Sequence, residues 1–478
     1  LTELMPALLQ ALGRTAHPDI AFARFDDFLR ALPSGVQLLS LLYANPRLLD
    51  LIAEIMGGAP RLAEHLSRNP ALLEAVLGHG FFEFLPPKEA LEKELHKLLA
   101  QAADFQDVLD LTRRWVKDHQ FQIGVALLRG AIDGHVAGGP LTDVADAAIA
   151  ALMPHVATEF AKQHGTLPGD GLAVVGLGKL GSRELMLGSD IDLVFLYDTG
   201  EDDSTVATAQ SDGPKPLSPI QYYARLSQRA INAITAQTGE GRLYEVDMRL
   251  RPSGNSGPIA TSLNAFRRYQ QTEAWTWEHL ALTRARVIAA APRLAERIDA
   301  VLRDILTRPR DSELLAAEVA DMRARIAETH REDRPWDIKH RRGGLIDVEF
   351  IAQFLQLRHG STHPEALHPN TAEALRRMAS AGVLDTRTAE ELESALVLWH
   401  RIQAMQRLVV EHFFAEESLP EGLRATIARG AGEPSFDALK SRMAEVAETV
   451  RRHFERLIGR PQRSSARAVP PANRETGD

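Results

Sequence analysis

The chain has 478 residues, of which 45% are apolar and 25% charged, with a net charge of −9 and no cysteine. This composition indicates a globular protein of two or three domains and excludes fibrous repeats, disulfide bonds and thiolate metal sites. The acidic balance disfavours a long nucleic acid as the main partner, because such binding needs a surplus of Lys and Arg facing phosphate.

Targeting and membrane signals are missing from the sequence. The first residues contain neither a basic segment followed by an apolar one nor an initiating Met, so we expect no signal peptide and a chain that is part of a longer protein. The longest apolar stretches, 172–177 and 287–291, fall far short of the roughly 18 residues that cross a bilayer. We expect no membrane span and, because cysteine is absent, a location in the reducing cytoplasm.

Residues 1 to about 165 follow a pattern of helices joined by short breaks. Two similar stretches begin with Asn45-Pro46 and Asn69-Pro70, and each places Asn at a predicted N-cap and Pro at the first helical position. A repeat array needs about three units or more to bury a continuous core. We therefore interpret the two stretches as similar helix starts.

Strands are predicted between Gly171 and about Ala291. Residues 172–175 and 191–197 are rich in β-forming residues, and residues 242–250 alternate polar and apolar side chains with a period of two. These patterns predict an α+β fold that is predominantly helical and contains a small mixed sheet.

After Pro292 the chain is predicted to form a helical bundle, because apolar residues recur every three or four positions near its end. That stripe consists of Leu439, Met443, Val446, Val450, Phe454 and Leu457. We divide the chain into an N-terminal helical segment, a catalytic domain, a C-terminal helical bundle and a disordered tail. Their residues are 1–120, 121–291, 292–460 and 461–478.

Two carboxylates lie where a loop enters the second predicted strand, in Gly188-Ser189-Asp190-Ile191-Asp192. Side chains at i and i+2 of a strand point to the same face, so Asp190 and Asp192 are predicted to project together. They repel each other unless a cation lies between them, and Mg²⁺ prefers hard oxygen ligands. A solvated turn is the ordinary interpretation of two such acids. The small residues in front, which let backbone approach phosphate, and the apolar strand behind favour a metal site.

A third acid, Asp247, lies on the polar face of residues 242–250 with Arg249, and Arg251 follows. Three acids suit two metal ions that clamp an in-line displacement at phosphorus, and guanidinium groups suit phosphate oxygens. Asp247 could equally be a surface partner of either Arg. The Gly-Ser entry, the distant acid and the Arg-rich loop together predict a nucleotidyltransferase domain of the DNA-polymerase-β type.

A competing motif lies upstream, where Gly176, Gly178 and Gly181 match the glycine pattern of a dinucleotide-binding fold. That fold needs roughly a dozen residues or more for its crossover helix, whereas only residues 182–189 are available. It also gives the paired acids no role. We therefore favour a short glycine-rich turn whose backbone, with Lys179, faces nucleotide phosphates.

Two further stretches have weaker signals. Residues 275–279 contain two Trp in a predicted helix, and we interpret them as packing residues. Residues 339–350 join a basic loop to a helix start, which indicates either an anion-binding site or a plain interdomain turn.

The chain also contains four long motifs, GLGKLGSRELMLGSDIDLVFLYD (176–198), YEVDMRLRPSGNSGPIATS (244–262), EAWTWEHLALTRARV (273–287) and DIKHRRGGLIDVEFIAQFLQLRHG (337–360). In this order they resemble the glutamine synthetase adenylyltransferase family, and the similarity extends over most of the chain. Ser182 and Gly188 stand where family members often have Gly and Ser. These departures affect how closely the loops approach phosphate and leave the acids unchanged.

The resemblance implies one of two related halves of a bifunctional enzyme, one half attaching AMP to a tyrosine of glutamine synthetase and the other removing it by phosphorolysis. The runs RPSGNSG and EAWTWEH are similar to the attaching, C-terminal half. The family likeness implies ATP and Mg²⁺ as requirements, and the PII signal protein and glutamine as regulators. It also implies Asp190, Asp192 and Asp247 as the metal-binding acids.

We therefore expect transfer of AMP from ATP to a tyrosine hydroxyl, with two Mg²⁺ ions at the acids and Asp247 as the proton acceptor. The residues expected to bind the nucleotide are Gly188, Ser189, Lys179, Arg249 and Arg251. Three alternatives remain: the adenylyl-removing half, a nucleic-acid nucleotidyltransferase, which the acidic charge disfavours, and an inert scaffold, which the intact acids argue against.

Overall fold

The structure of the chain is a computed structural model, which describes residues 4–15, 17–31, 42–43, 45–70, 72, 85–198, 209–330, 334–410 and 416–460. Most of these residues lie in helices, and a small mixed sheet lies in the middle of the chain. The predicted fold class, α+β and predominantly helical, is therefore confirmed.

The described residues before the sheet form helices only. These are α1 (Met5–Gly13), α2 (Pro18–Ala31), α3 (Pro46–Gly58), α4 (Pro60–Arg68), α5 (Lys88–Leu99), α6 (Phe105–Leu128) and α7 (Gly138–His164). The helix start predicted after Asn45 is confirmed, although the Asn45 side chain makes no capping hydrogen bond. The helix predicted after Asn69 lies mostly outside the described residues.

The predicted boundary between residues 120 and 121 falls inside α6, which continues without a break to Leu128. The N-terminal segment and the catalytic part therefore share one helix, and the division of the chain into domains stays a prediction. The boundary at residue 292 coincides with the start of a helix at Pro292. The predicted tail, 461–478, lies outside the described residues.

The sheet has five strands in the described part of the chain: β1 (Leu172–Leu177), β2 (Ile191–Tyr197), β3 (Val246–Asp247), β4 (Ala260–Ser262) and β5 (Arg286–Ala289). Strand β1 pairs antiparallel with β2 and β5, whereas β3 and β4 pair parallel with β2. A one-turn helix, α8 (Gly178–Ser182), follows β1. The antiparallel pairing of β1 with β2 rules out the dinucleotide-binding fold, which requires a parallel connection there.

The strand predicted over residues 242–250 is mostly wrong, because only Val246 and Asp247 pair in the sheet. Before them, the N–H group of Leu243 donates to Ile234 O at 3.1 Å. After them, the chain turns away from the sheet at Met248. Strands β4 and β5 escaped prediction because three or four residues carry too little periodic signal.

Helices α9 (Pro219–Thr235) and α10 (Leu263–Thr272) contact the sheet, and α11 (Thr276–Leu282) contacts the bundle. The C-terminal helices are α12 (Pro292–Leu306), α13 (Ser312–Thr329), α14 (Leu345–His359), α15 (Thr371–Ser380), α16 (Thr386–Val409), α17 (Glu421–Gly430) and α18 (Phe436–Leu457). The predicted stripe lies on the buried face of α18, with only Leu457 partly exposed. Among the described residues, no helix has the length and apolar character that a membrane crossing requires.

Candidate active site

The parallel pairing of β2 with β3 brings the three acids together. Asp192 lies opposite Asp247 in the register of the two strands, and Asp190 immediately precedes β2. Ile191 donates its N–H to Glu245 O at 3.0 Å, which fixes the start of β2 against the chain entering β3. Asp190 and Asp247 line one cavity of about 410 Å³. The predicted convergence of the acids is therefore confirmed, while their chemical roles remain a prediction.

Asp192 is partly buried and lies among like charges. Burial, followed by the negative charges of Asp247 and Asp190, raises the pKa of Asp192 to about 6. The positive charges of Lys339 and Arg249 act in the opposite direction. Lys339 lies in the turn before α14, so the C-terminal bundle contributes to the potential at the acids.

Asp247 is held by a neighbouring guanidinium. Arg249 donates its backbone N–H to Asp247 Oδ1 at 2.8 Å and its side-chain Nε to Oδ2 at 2.7 Å. Burial opposes ionisation of Asp247, but the hydrogen bonds from Arg249 outweigh burial and lower its pKa. A carboxylate with a lowered pKa is a weak base. Proton acceptance by Asp247 thus stays a prediction, and it requires Arg249 to release that oxygen.

The donor set fits a hard divalent cation. Three carboxylates converge, and Asn255 adds an amide group to the same cavity. Burial and, after it, the charges of Asp247 and Asp190 disfavour the ionised form of Asp192, which a bound cation would favour. Mg²⁺ prefers oxygen ligands and is commonly held by one or two carboxylates together with substrate phosphates. The residues present therefore suit Mg²⁺.

Gly178, the first residue of α8, lies against the side chain of Asp192. It follows β1, which pairs with β2 on the edge opposite β3. Its φ angle is +51°, and a Cβ atom there would overlap Oδ2 of Asp192. Only glycine fits this contact. The glycine-rich motif therefore supplies space for a carboxylate, a role that the sequence pattern did not reveal.

The predicted phosphate loop, Gly188-Ser189, adjoins a second cavity of about 740 Å³ between the catalytic part and α4 and α6. Gly188 has a φ of +65°, and a Cβ atom there would overlap the guanidinium of Arg61. Ser189 Oγ accepts the N–H of Met186 at 3.1 Å, which closes the loop. Arg61 lies far from this loop in sequence, and no sequence signal indicated its position.

Arg251 is predicted from the sequence to bind the nucleotide, but it does not line the cavity at the acids. Its guanidinium donates to three backbone carbonyls, those of Met248 at 3.0 Å, Asn255 at 3.2 Å and Gly257 at 3.3 Å. It therefore orders the loop that follows β3. A phosphate contact of Arg251 has no support in this arrangement, whereas Arg249 lines the cavity with a side chain that is 51% exposed.

Lys179 also differs from the expectation that it faces nucleotide phosphates. Its Nζ donates to Gln403 Oε1 of α16 at 2.6 Å, and it does not line the cavity at the acids. Burial lowers the pKa of Lys179 to about 8. The amine thus lies in the contact with the bundle, and the predicted phosphate contact lacks geometric support.

Within the basic stretch 339–350, the charge of Arg342 is neutralised by the buried Asp347. Asp347 accepts the N–H of Gly343 at 2.6 Å and a hydrogen bond from Arg342 at 3.1 Å, and it pairs with the buried Arg323. This network favours the interdomain-turn interpretation over an anion site. Within residues 275–279, the buried Glu278 accepts the hydroxyl of Tyr269 at 2.9 Å, whereas Trp275 and Trp277 are half-buried, so their packing role stays an interpretation.

Comparison with known proteins assigns the chain to a family. The family model described as glutamate-ammonia ligase adenylyltransferase matches residues 49–301, and a model described as GlnD PII-uridylyltransferase matches residues 316–458. The first match covers the acids, Gly178 and Arg61. The second covers most of the C-terminal bundle.

Curated relatives share the name bifunctional glutamine synthetase adenylyltransferase/adenylyl-removing enzyme. The chain is 44% identical to that of Mesorhizobium japonicum over 463 residues, and 42% identical to those of Rhodopseudomonas palustris over 457 and Brucella suis over 459. Each alignment covers 96% of this chain and 46% of the relative, so the chain spans about half the length of these proteins. By these matches, the chain belongs to the glutamate-ammonia ligase adenylyltransferase family.

Proposed function

We propose that this chain transfers AMP from ATP to a tyrosine hydroxyl of glutamine synthetase and releases pyrophosphate. The observation that carries the proposal is the convergence of Asp190, Asp192 and Asp247 at the edge of β2 and β3. The shared name of the curated relatives supports the choice of protein substrate. Their name includes both attachment and removal of the adenylyl group, so the direction needs its own test.

The three acids would hold two Mg²⁺ ions, which when bound supply positive charge for the reacting phosphate and the phenol oxygen. In this scheme all three acids would hold one ion, and Asp190 and Asp192 would hold the other. Asp190 is exposed and lines the cavity at the acids, which the nucleotide would enter. Gly188 and Ser189 would let the phosphates approach the backbone, and Arg249 would neutralise phosphate oxygens.

The acceptor must lose a proton during transfer. A phenol with a pKa of about 10 is roughly three units from ionised at neutral pH, which costs about 4 kcal/mol. Asp247 is the proposed proton acceptor, and it becomes available when Arg249 turns to the incoming phosphate. This exchange of partners would couple nucleotide binding to activation of the hydroxyl.

We further propose the partners and organisation that the family likeness implies. The bundle, residues 292–460, would bind the PII signal protein, and glutamine would act as an effector. The match of this region to a PII-uridylyltransferase model supports that assignment. The catalytic part would comprise residues 121–291 with the shared helix α6, and the protein would work in the cytoplasm.

The decisive experiment uses ATP labelled at its α-phosphate and purified glutamine synthetase. We expect label on the synthetase with the wild-type chain, and none with Asp190→Asn or Asp192→Asn at wild-type secondary structure. Labelling by either variant at a rate near that of the wild type would refute the assignment of the acids. Release of label from adenylylated synthetase by phosphate, without the forward reaction, would instead identify the removing activity, and labelling of RNA would identify a nucleic-acid enzyme.

A further inference from the structure

Residues 178–184 connect the acids to the C-terminal bundle. This segment comprises α8 and the turn to Glu184, and it leaves β1 where Leu177 pairs with Asp192. At its start, the backbone of Gly178 lies against the Asp192 carboxylate. Because the contact is already close, a displacement of the segment acts directly on that carboxylate.

Two bundle helices bind the other side of the segment. Lys179 Nζ donates to Gln403 Oε1 of α16 at 2.6 Å. Asn370 Nδ2, at the N-terminus of α15, donates to Ser182 O at 3.0 Å. One of these bonds is made by a side chain of the segment and the other by its backbone, so the position of the whole turn is specified from the bundle.

Glu184 ends the segment inside a buried ionic network. Its carboxylate accepts from Ser182 Oγ at 2.8 Å and Thr371 N–H at 3.2 Å, and pairs with Arg284 at 3.3 Å. Arg284 also donates to Thr371 Oγ1 at 2.9 Å and pairs with Glu349 of α14 at 2.9 Å. A single guanidinium thus joins the segment to two bundle helices.

The network is positioned to transmit movement. The side chains of Arg284 and Glu184 are 8% and 5% exposed, and a buried charge that loses its partner is costly, so these groups move together. His400 of α16 is 4% exposed, and its Nε2 has no hydrogen-bond partner among the described residues. Glu184 and Lys179 both act electrostatically on His400. His400 therefore connects α16 electrostatically to both ends of the segment.

We infer that the C-terminal bundle sets the position of the Asp192 carboxylate through residues 178–184, with Arg284 as the positioning residue. The inference rests on the proposed function, because it concerns the site of AMP transfer. Movement of α14, α15 or α16 would shift the segment and so change the activity. Because coupling is reciprocal, occupation of the acids would change the affinity of the bundle for a ligand that moves these helices.

The test compares Arg284→Met, which removes the guanidinium, with Arg284→Lys, which keeps the charge without the fork. Two quantities are measured: kcat and KM for ATP in AMP transfer, and hydrogen exchange of backbone amides 177–193 without metal or nucleotide. We expect Arg284→Met to lower kcat by about tenfold or more, because a misplacement of about 1 Å can cost a hundredfold. The KM for ATP should change less than kcat, and hydrogen exchange of amides 177–193 should become faster. Arg284→Lys should partly restore both kcat and the slower exchange.

The matched control is Arg401→Met. Arg401 lies on α16 near Gln403 and pairs with Asp133 at 2.8 Å, so it joins the same helix to the part of the chain before the sheet. In the described part of the chain no hydrogen bond or ion pair joins Arg401 to residues 178–184, and Arg401 is not part of the site. We expect Arg401→Met to leave exchange in 177–193 and kcat close to wild type. If Arg284→Met does not fold, Gln403→Leu removes the partner of Lys179 and should act in the same direction.

The inference would be overturned if the backbone amides of residues 177–193 exchanged hydrogen at the same rate in Arg284→Met and Arg401→Met. Wild-type kcat and exchange in folded Arg284→Met, or in Gln403→Leu where Arg284→Met does not fold, would overturn it as well. If the wild-type chain does not transfer AMP, the proposed function fails. The exchange comparison still decides in that case whether the bundle positions the segment.

Discussion

Asp192 and Asp247 lie opposite each other on two paired strands, yet their surroundings shift the pKa values of the two carboxyl groups in opposite directions. Both are partly buried. Asp192 has acids as neighbours and a raised pKa, whereas hydrogen bonds from Arg249 lower the pKa of Asp247. Burial alone therefore does not set the charge state at this site. Around Asp192 the charges of the other acids outweigh the positive charges of Lys339 and Arg249, whereas Asp247 is hydrogen-bonded to the Arg249 guanidinium.

The largest expected effects come from replacing each acid by its amide, because the two replacements should change stability in opposite directions. We expect Asp192→Asn to lower AMP transfer on the order of a thousandfold, because the charge that holds the proposed metal ions is lost. The same change should stabilise the metal-free protein by about 1–3 kcal/mol at pH 7, since it removes a charge that burial and then the neighbouring acids disfavour. Asp247→Asn should also lose activity but should destabilise the fold, because Arg249 loses its partner.

The size of the stability change in Asp192→Asn depends on pH. The folded pKa of Asp192, about 6, exceeds its ordinary 3.8, so its favourable contribution is complete below pH 3.8 and is lost as pH rises through 6. The advantage of Asp192→Asn should therefore grow between these values. Urea unfolding in EDTA at several pH values measures it, and a variant less stable than wild type at pH 7 would contradict the electrostatic picture.

The period-two pattern of residues 242–250 correctly placed Asp247 beside the acids of β2, although only two of those residues pair in the sheet. Local patterns sufficed because Asp190 and Asp192 lie at the start of β2 and Asp247 lies in the strand beside it. The partners of Lys179 and Gly188 could not be found in this way. Lys179 bonds to Gln403, 224 positions away, and Gly188 packs on Arg61 from α4. Such contacts depend on how helices dock on the sheet, which no local periodicity encodes.

The affinity for Mg²⁺ should depend on pH through Asp192, and we expect this effect to be of intermediate size. Because Asp192 must lose its proton to bind a cation, the apparent affinity should fall as pH drops through about 6, approaching about tenfold per pH unit. Titration calorimetry from pH 5 to 8 measures this dependence. In Asp247→Asn the midpoint should move to lower pH, because one of the charges that raise the pKa of Asp192 is gone. An affinity independent of pH would mean that Asp192 is not a ligand.

The smallest expected effect concerns the proposed movement of the Arg249 guanidinium from Asp247 to the phosphate of ATP. If Arg249 leaves Asp247 for phosphate, Arg249→Met should raise the KM for ATP by about tenfold, the loss of roughly one charge-assisted interaction. Arg251→Met should instead loosen the loop after β3 and lower the melting temperature, because its bonds go to backbone carbonyls. An unchanged KM in Arg249→Met, with the acidic limb of the rate profile shifted to higher pH, would show that Arg249 serves only to keep Asp247 ionised. The counter-charge on Asp247 would then be permanent, and the proton acceptor would have to be sought elsewhere.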